Sequence, residues 1–305
     1  MQGVRSALSG RSSVRRLRNA LPSRPSSAAA WNRLASTHMN REPPPGREPL
    51  HVTVWDEATP GAPRALLVHG TMSWGTECFA GQRPLAEMFR LELLDRRGFG
   101  DSPDTERSDY AIDAEDLGQL LGSGAHLVGH SYGAAAVMLA ASAHPEAVQS
   151  LTLIEPSVLR TAAGHPLVAA ALERIRAAFA GPAEEVGPHE HLRRSTEPYG
   201  LPVPEPTPRL LRAVRSAMRE RPVWDAEIPL GPLAGATMPK AVINGTWETA
   251  HPAYREFTGE ALAACGEYLA EAIGARHIRV DGAAHTPHQE RPEQVNAVLT
   301  RLWQH

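Results

Sequence analysis

The feature that most limits how this chain can fold lies near its middle. There Ala125-His126-Leu127-Val128-Gly129 runs directly into His130-Ser131-Tyr132-Gly133 and on into Ala134-Ala135-Ala136. An apolar run of strand length, then Gly-x-Ser-x-Gly, then small helix-forming residues predicts a strand that turns sharply into a helix, with Ser131 at the apex. Glycine at the two flanking positions lets helix and strand approach closely around such a turn. The hydroxyl then projects beyond the strand, beside a helix N-terminus whose free N–H groups favour negative charge. A five-residue pattern alone arises by chance. The strand-turn-helix setting is what makes Ser131 a candidate nucleophile and not just a structural turn.

The rest of the chain repeats this alternation. Runs of strand character fall at His51 to Trp55, Ala65 to His69, Leu91 to Asp95, Ala125 to Gly129, Ser150 to Ile154, Ala241 to Asn244 and His277 to Val280. Helical stretches fall between them, near Thr76 to Arg90, Asp109 to Leu121, Tyr132 to Ala143, Tyr254 to Ile273 and Pro292 to Trp303. Strands alternating with helices predict an α/β fold with a mostly parallel sheet. One interval, 156–239, breaks the alternation. It carries two amphipathic helical stretches, Pro166 to Ala180 and Thr207 to Glu220, joined by a loop rich in proline, histidine and glycine. It reads as a helical lid inserted over the strand ends where ligands bind in open α/β sheets, or as a helical excursion with no binding role. The domain reading is therefore a leader over 1–48, a core over 49–155 and 240–305, and a lid over 156–239.

The leader has eight arginines up to Arg41, many serines and alanines, and no acidic residue before Glu42. Such a stretch cannot build a core. It reads as a disordered leader, as residues upstream of a start at Met39, or as a transit peptide that would direct the chain to an organelle. Over the whole chain the net charge of −3 suggests no polyanionic partner, and the only basic segment, the leader, lacks interleaved aromatics, so nucleic-acid binding is unsupported. Cys78 and Cys265 show no metal-ligand or disulfide spacing, which fits a reducing cytoplasm and no metal. No run of eighteen apolar residues suggests a membrane span.

Further motifs surround the turn. Leu67-Val68-His69-Gly70-Thr71 closes the second strand run and leads out of it, and Arg96-Arg97-Gly98-Phe99-Gly100-Asp101-Ser102 follows the third. With the Ser131 turn they resemble the α/β-hydrolase superfamily from about Leu50 to His305, lidded esterases and lactonases in particular. The resemblance implies an eight-stranded-type sheet with one strand before those read here, a Ser-His-acid triad and no cofactor. It also implies that the backbone N–H groups of Thr71 and Tyr132 face an oxyanion. His69 and His130 read as structural. Serine at the apex separates the chain from relatives that carry a carboxylate there, such as haloalkane dehalogenases and epoxide hydrolases.

A serine hydroxyl needs a base, and histidine suits that task near neutral pH. Of fourteen histidines, His285 is the best placed, on a loop of small residues between the last strand and the terminal helix. Relatives carry their histidine there, often as Gly-x-Gly-His with a downstream Glu-Arg-Pro. Glu290-Arg291-Pro292 is present, and Ala284 departs from the usual glycine. His288 reads as solvated at the start of a helix. The acid must reach the other imidazole nitrogen from the same end of the sheet. Glu248, after Val242-Ile243-Asn244-Gly245-Thr246-Trp247, occupies the position relatives use and is the first choice. Glu155, ending the fifth strand run, is the alternative.

The expected substrate is a medium-sized, partly apolar small molecule with an ester, lactone or thioester bond. Met72, Trp74 and Tyr132 would line its pocket with Trp224 from the lid, unless the tryptophans only pack lid against core. The competing readings are a cofactor-free carbon-carbon hydrolase, cyclase, lyase or perhydrolase, and a relative that binds ligand without turnover. Oligomeric state is not legible.

Overall fold

A computed structural model describes residues 47–180 and 186–304. The reading of a leader over 1–48 lies outside them apart from its last two residues. All seven strand runs form strands: β1 Val52–Trp55, β2 Arg64–Val68, β3 Arg90–Leu94, β4 Ala125–His130, β5 Val148–Ile154, β6 Lys240–Gly245 and β7 Arg276–Val280. They make one sheet in the order β1-β3-β2-β4-β5-β6-β7. Only β1 runs antiparallel, against β3; every other neighbouring pair is parallel. The extra strand implied by the resemblance is not among the described residues, where the sheet has seven.

The helices are α1 Gly75–Cys78, α2 Tyr110–Leu120, α3 Tyr132–Ala143, α4 Pro166–Ala178, α5 Pro188–Arg194, α6 Pro208–Ala217, α7 Leu230–Gly235, α8 Glu260–Ile273, α9 Pro287–Glu290 and α10 Pro292–Trp303. A short helical turn at Pro252–Tyr254 and a π-helical turn at Arg255–Gly259 lead into α8. Period-two side chains of the strands feed two cores. On one face Leu66, Val68, Leu127 and Leu153 pack with α2, α3 and α8. On the other Ala65, Leu67 and Val128 pack with Phe79, Phe89 and α10. Central strands buried on both faces are what a parallel sheet under two helical layers requires.

Two helical expectations are corrected. The stretch Thr76 to Arg90 is not one helix but α1 followed by a 3-10 helix, Ala80–Glu87. Pro84 inside it offers no N–H to an α-helical ladder. The loop expected between the two inserted helices contains α5, which buries only Leu192. Glu190 pairs with Arg193 and Arg194 along it, and Arg193 with Glu197, so charge spacing and not an apolar stripe marks that helix.

The turn at Ser131 is as sharp as its sequence implies. Ser131 has φ 50° and ψ −110°, a region that L-residues rarely adopt. A Cβ on Gly133 would lie 2.4 Å from the Val68 carbonyl oxygen, and one on Gly129 would lie 2.5 Å from Val137 Cγ2. The Gly133 neighbour is backbone inside the sheet and cannot swing away. Gly133→Ala is therefore expected to destabilise the fold by about 1–3 kcal/mol, read as a lower denaturation midpoint with an unchanged denaturant slope.

Candidate active site

Ser131 and His285 meet at the ends of the central strands. Ser131 Oγ lies 3.0 Å from His285 Nε2 and 3.3 Å from the hydroxyl of Ser157. The backbone N–H of Ser131 donates to the Ile154 carbonyl at 2.9 Å, which ties the turn to the end of β5. His285 is carried on the loop after β7, and both its neighbours are held by one carboxylate. Glu290 accepts from the backbone N–H groups of Ala284 and Thr286 and from the Thr286 hydroxyl, at 3.0–3.1 Å. The Glu-Arg-Pro motif thus acts locally by clamping the histidine loop. From the other side, His130 Nε2 donates to the His285 carbonyl at 2.8 Å.

The carboxylate that faces the imidazole belongs to Glu155, not Glu248. Glu155 directly follows β5, with φ 47°, and is wholly buried. Its Oε1 accepts from the Gly245 N–H at 2.7 Å and from Trp247 Nε1 at 3.2 Å. Its Oε2 stands 3.8 Å from His285 Nδ1, and neither atom has another hydrogen-bond partner among the described residues. Two buried, unpartnered groups of complementary kind need close by less than an ångström to bond, and such contacts commonly tighten when substrate binds.

Glu248 is exposed. The preceding Trp247, at φ 62°, takes the inward position, 2% exposed, with its ring 6.1 Å from that of His285. The loop is pinned there, because Thr246 N–H donates to Val280 and Trp247 N–H to Ala283. With the indole turned in, the next side chain is turned out, and Glu248 does not reach His285.

A sequence model described as the alpha/beta hydrolase family matches residues 65–298. The chain belongs to this family. Its similarity to individual curated proteins is more limited. It is 35% identical over 97 residues to a pimeloyl-[acyl-carrier protein] methyl ester esterase of Aeromonas salmonicida, which covers 31% of this chain and 38% of that protein. Among solved structures it resembles an enol-lactonase from Burkholderia xenovorans, with TM-score 0.55 and 20% identity over 84% of this chain and 96% of the other. It also resembles an esterase from Exiguobacterium antarcticum, with TM-score 0.58 and 20% identity over 84% and 96%. At that identity the structural likeness is one of fold.

Other family positions fall as follows. Thr71 is exposed at the His-Gly turn, and its hydroxyl donates to the Glu220 carboxylate. Tyr132 contributes the first residue of α3. It is buried beneath Arg96, whose guanidinium lies 4.2 Å over the ring. Met72 is half-buried with φ 52°. Trp74 lies under Arg209 at 4.9 Å, so it does pack core against the inserted segment. Trp224 stacks on Phe179 within that segment, with ring centroids 5.8 Å apart.

Arg96 organises this side of the site. It is fully buried, donates to the Gly70 carbonyl at 3.0 Å and pairs with Asp113 and Glu220. Desolvation pushes the Asp113 carboxyl up to about 7 and raises that of Glu220, with Arg96 opposing both. His69 is structural in placement: its Nδ1 donates to the Gly70 carbonyl at 2.7 Å and its Nε2 accepts from the Arg96 N–H at 3.0 Å. His288 is corrected from solvated to wholly buried, 3.3 Å from the Cys78 sulfur. Ser157 and Glu290 were not picked out as functional. Nothing in Glu155-Pro156-Ser157 marks the serine, whereas the Glu-Arg-Pro motif did carry a signal for Glu290.

Proposed function

We propose that this chain is a serine hydrolase that cleaves an ester, lactone or thioester bond of a partly apolar small molecule through an acyl-enzyme on Ser131. One observation carries the reading. A single imidazole stands 3.0 Å from the serine hydroxyl through Nε2 and faces a buried carboxylate, unpaired on that side, through Nδ1. In this reading His285 takes the hydroxyl proton as Oγ attacks the carbonyl carbon. Glu155 holds the Nδ1–H tautomer and stabilises the imidazolium.

The tetrahedral oxyanion is met by the backbone N–H groups of Thr71 and Tyr132, the second at the free N-terminus of α3, each worth about 3–4 kcal/mol. The imidazolium then protonates the leaving group, and water activated by the same histidine releases the acyl group. Arg96 supports the first donor by fixing the Gly70 carbonyl, and the helices between β5 and β6 serve as a lid. The esterase named among the relatives supports ester chemistry, although the match spans 38% of that protein.

A fluorophosphonate probe tests the mechanism directly. It is expected to add one label, mapped to Ser131 by peptide mass, in a protein that also turns over p-nitrophenyl esters, lactones or thioesters. A probe that labels nothing, together with no turnover across that panel, would sink the proposal.

A further inference from the structure

Around His130, the residue before the nucleophile, three side chains able to bind a soft cation converge. Cys78 ends α1, His130 ends β4 and His288 lies in α9. All three are buried, at 2%, 6% and 0% exposure. Cys78 Sγ lies 3.7 Å from His130 Nδ1 and 3.3 Å from His288 Nε2, and the three atoms all fall within 4.8 Å of one another. A tetrahedral zinc with Zn–S near 2.3 Å and Zn–N near 2.0–2.1 Å separates sulfur from nitrogen by about 3.5 Å. The two sulfur–nitrogen distances bracket that value.

The proton inventory of the cluster leaves a lone pair over. His130 donates its Nε2–H to the His285 carbonyl, so its Nδ1 presents a lone pair towards the sulfur. Were His288 protonated at Nδ1, its Nε2 would present a second lone pair, and one S–H cannot serve both. Were it protonated at Nε2, its Nδ1, which has no partner, would be a buried acceptor left empty. Either tautomer strands a buried polar atom, which costs free energy. A cation bound by Cys78 Sγ, His130 Nδ1 and His288 Nε2 would satisfy those three atoms together.

Two features show that the space is shaped and not incidental. A Cβ on Gly70 would stand 2.9 Å from His130 Nδ1, so the glycine keeps the approach to that nitrogen open. The ligand segments are also tied to one another. Gln289 Nε2 donates to the carbonyls of Glu77 and Cys78, and Gln82 Nε2 donates to that of His288. The His130 ring is oriented by a carbonyl on its far nitrogen, the usual support for a metal-binding histidine.

We infer that Cys78, His130 and His288 form a binding site for one thiophilic cation of the zinc class, set behind the Ser131 turn. One thiolate with two imidazoles selects zinc or a similar soft ion over magnesium or calcium. On binding, the Sγ–H bond breaks and an Sγ–metal bond forms. The proton leaves to solvent, the imidazoles contribute lone pairs, and nothing is oxidised or reduced. The bound ion would join α1, β4 and α9 and, through His130, stiffen the backbone that carries His285. The inference does not depend on what the serine does.

The test uses the full chain stripped with a chelator and titrated with Zn²⁺ against a competing chromophoric chelator, and separately with Co²⁺. The expected result is one equivalent of zinc bound with a rise in the unfolding midpoint, and a thiolate-to-cobalt charge-transfer band. Cys78→Ser should abolish the band, and both Cys78→Ser and His288→Gln should weaken zinc binding by at least about 100-fold. Cys265→Ser should change neither. Absence of stoichiometric zinc binding, a cobalt complex without the sulfur band, or zinc binding that survives Cys78→Ser would each overturn the inference. The cobalt spectrum of the unmodified chain decides the matter even where a variant fails to fold.

Discussion

Ser131→Ala is expected to lower kcat/KM on any ester the protein turns over by about four to six orders of magnitude, while leaving the fold in place. The hydroxyl is the atom that His285 Nε2 faces at 3.0 Å, so its removal leaves the base with nothing to deprotonate. The N–H groups at Thr71 and Tyr132 proposed to meet the oxyanion remain, and a residual rate enhancement over water is expected to survive with them. Stability is expected to change by no more than about 0.5 kcal/mol. Alanine keeps the Cβ that already tolerates the positive φ, and the lost contacts are those to Ser157 and His285. Initial rates at substrate concentrations well below KM measure the effect, with a denaturation curve beside them. Near-normal turnover in a verified alanine variant would remove Ser131 from the chemistry.

How much of this was legible in the sequence follows from how local each signal is. The strands were legible because their apolar runs are short, β-branched or leucine-rich, and separated by helical stretches; all seven fall within a few residues of expectation. The helix expected after β2 was not, because a single proline changes the hydrogen-bond ladder more than the surrounding propensities suggest. Ser131 and His285 were legible because each sits in a local pattern that forces its geometry. The partner of His285 was not. Which of two glutamates turns inward depends on Glu155 at φ 47° and on Trp247 taking the buried place beside it, both set by packing between β5, β6 and the histidine loop. The Cys78 cluster was hidden for the same reason: its members are 52 and 210 residues from the cysteine, and only the folded chain brings them together.

The inward glutamate gives the second large effect. Glu155→Gln is expected to lower kcat by about 10⁴-fold with little change in KM, whereas Glu248→Gln should leave both within about twofold. The argument is one of tautomers. In the glutamine variant the amide oxygen remains the only group able to accept from the Gly245 N–H and from Trp247 Nε1, so it keeps the place of Oε1. The amide NH₂ is thereby turned towards His285 Nδ1, donor against donor. The ring relieves the clash by moving its proton to Nε2, which places a hydrogen where Ser131 Oγ must deliver one. The fold and the Ser131 turn are unchanged, so the loss falls on kcat, and the unfolding midpoint should stay near that of the parent. A merely structural role for Glu155 would lower the midpoint and the fraction of active protein together, with the kcat of the surviving fraction intact. Active-site titration with the fluorophosphonate probe separates the two outcomes. A large loss on changing Glu248, with Glu155→Gln near normal, would return the acid to the exposed loop and require that loop to fold inward past Trp247 during turnover.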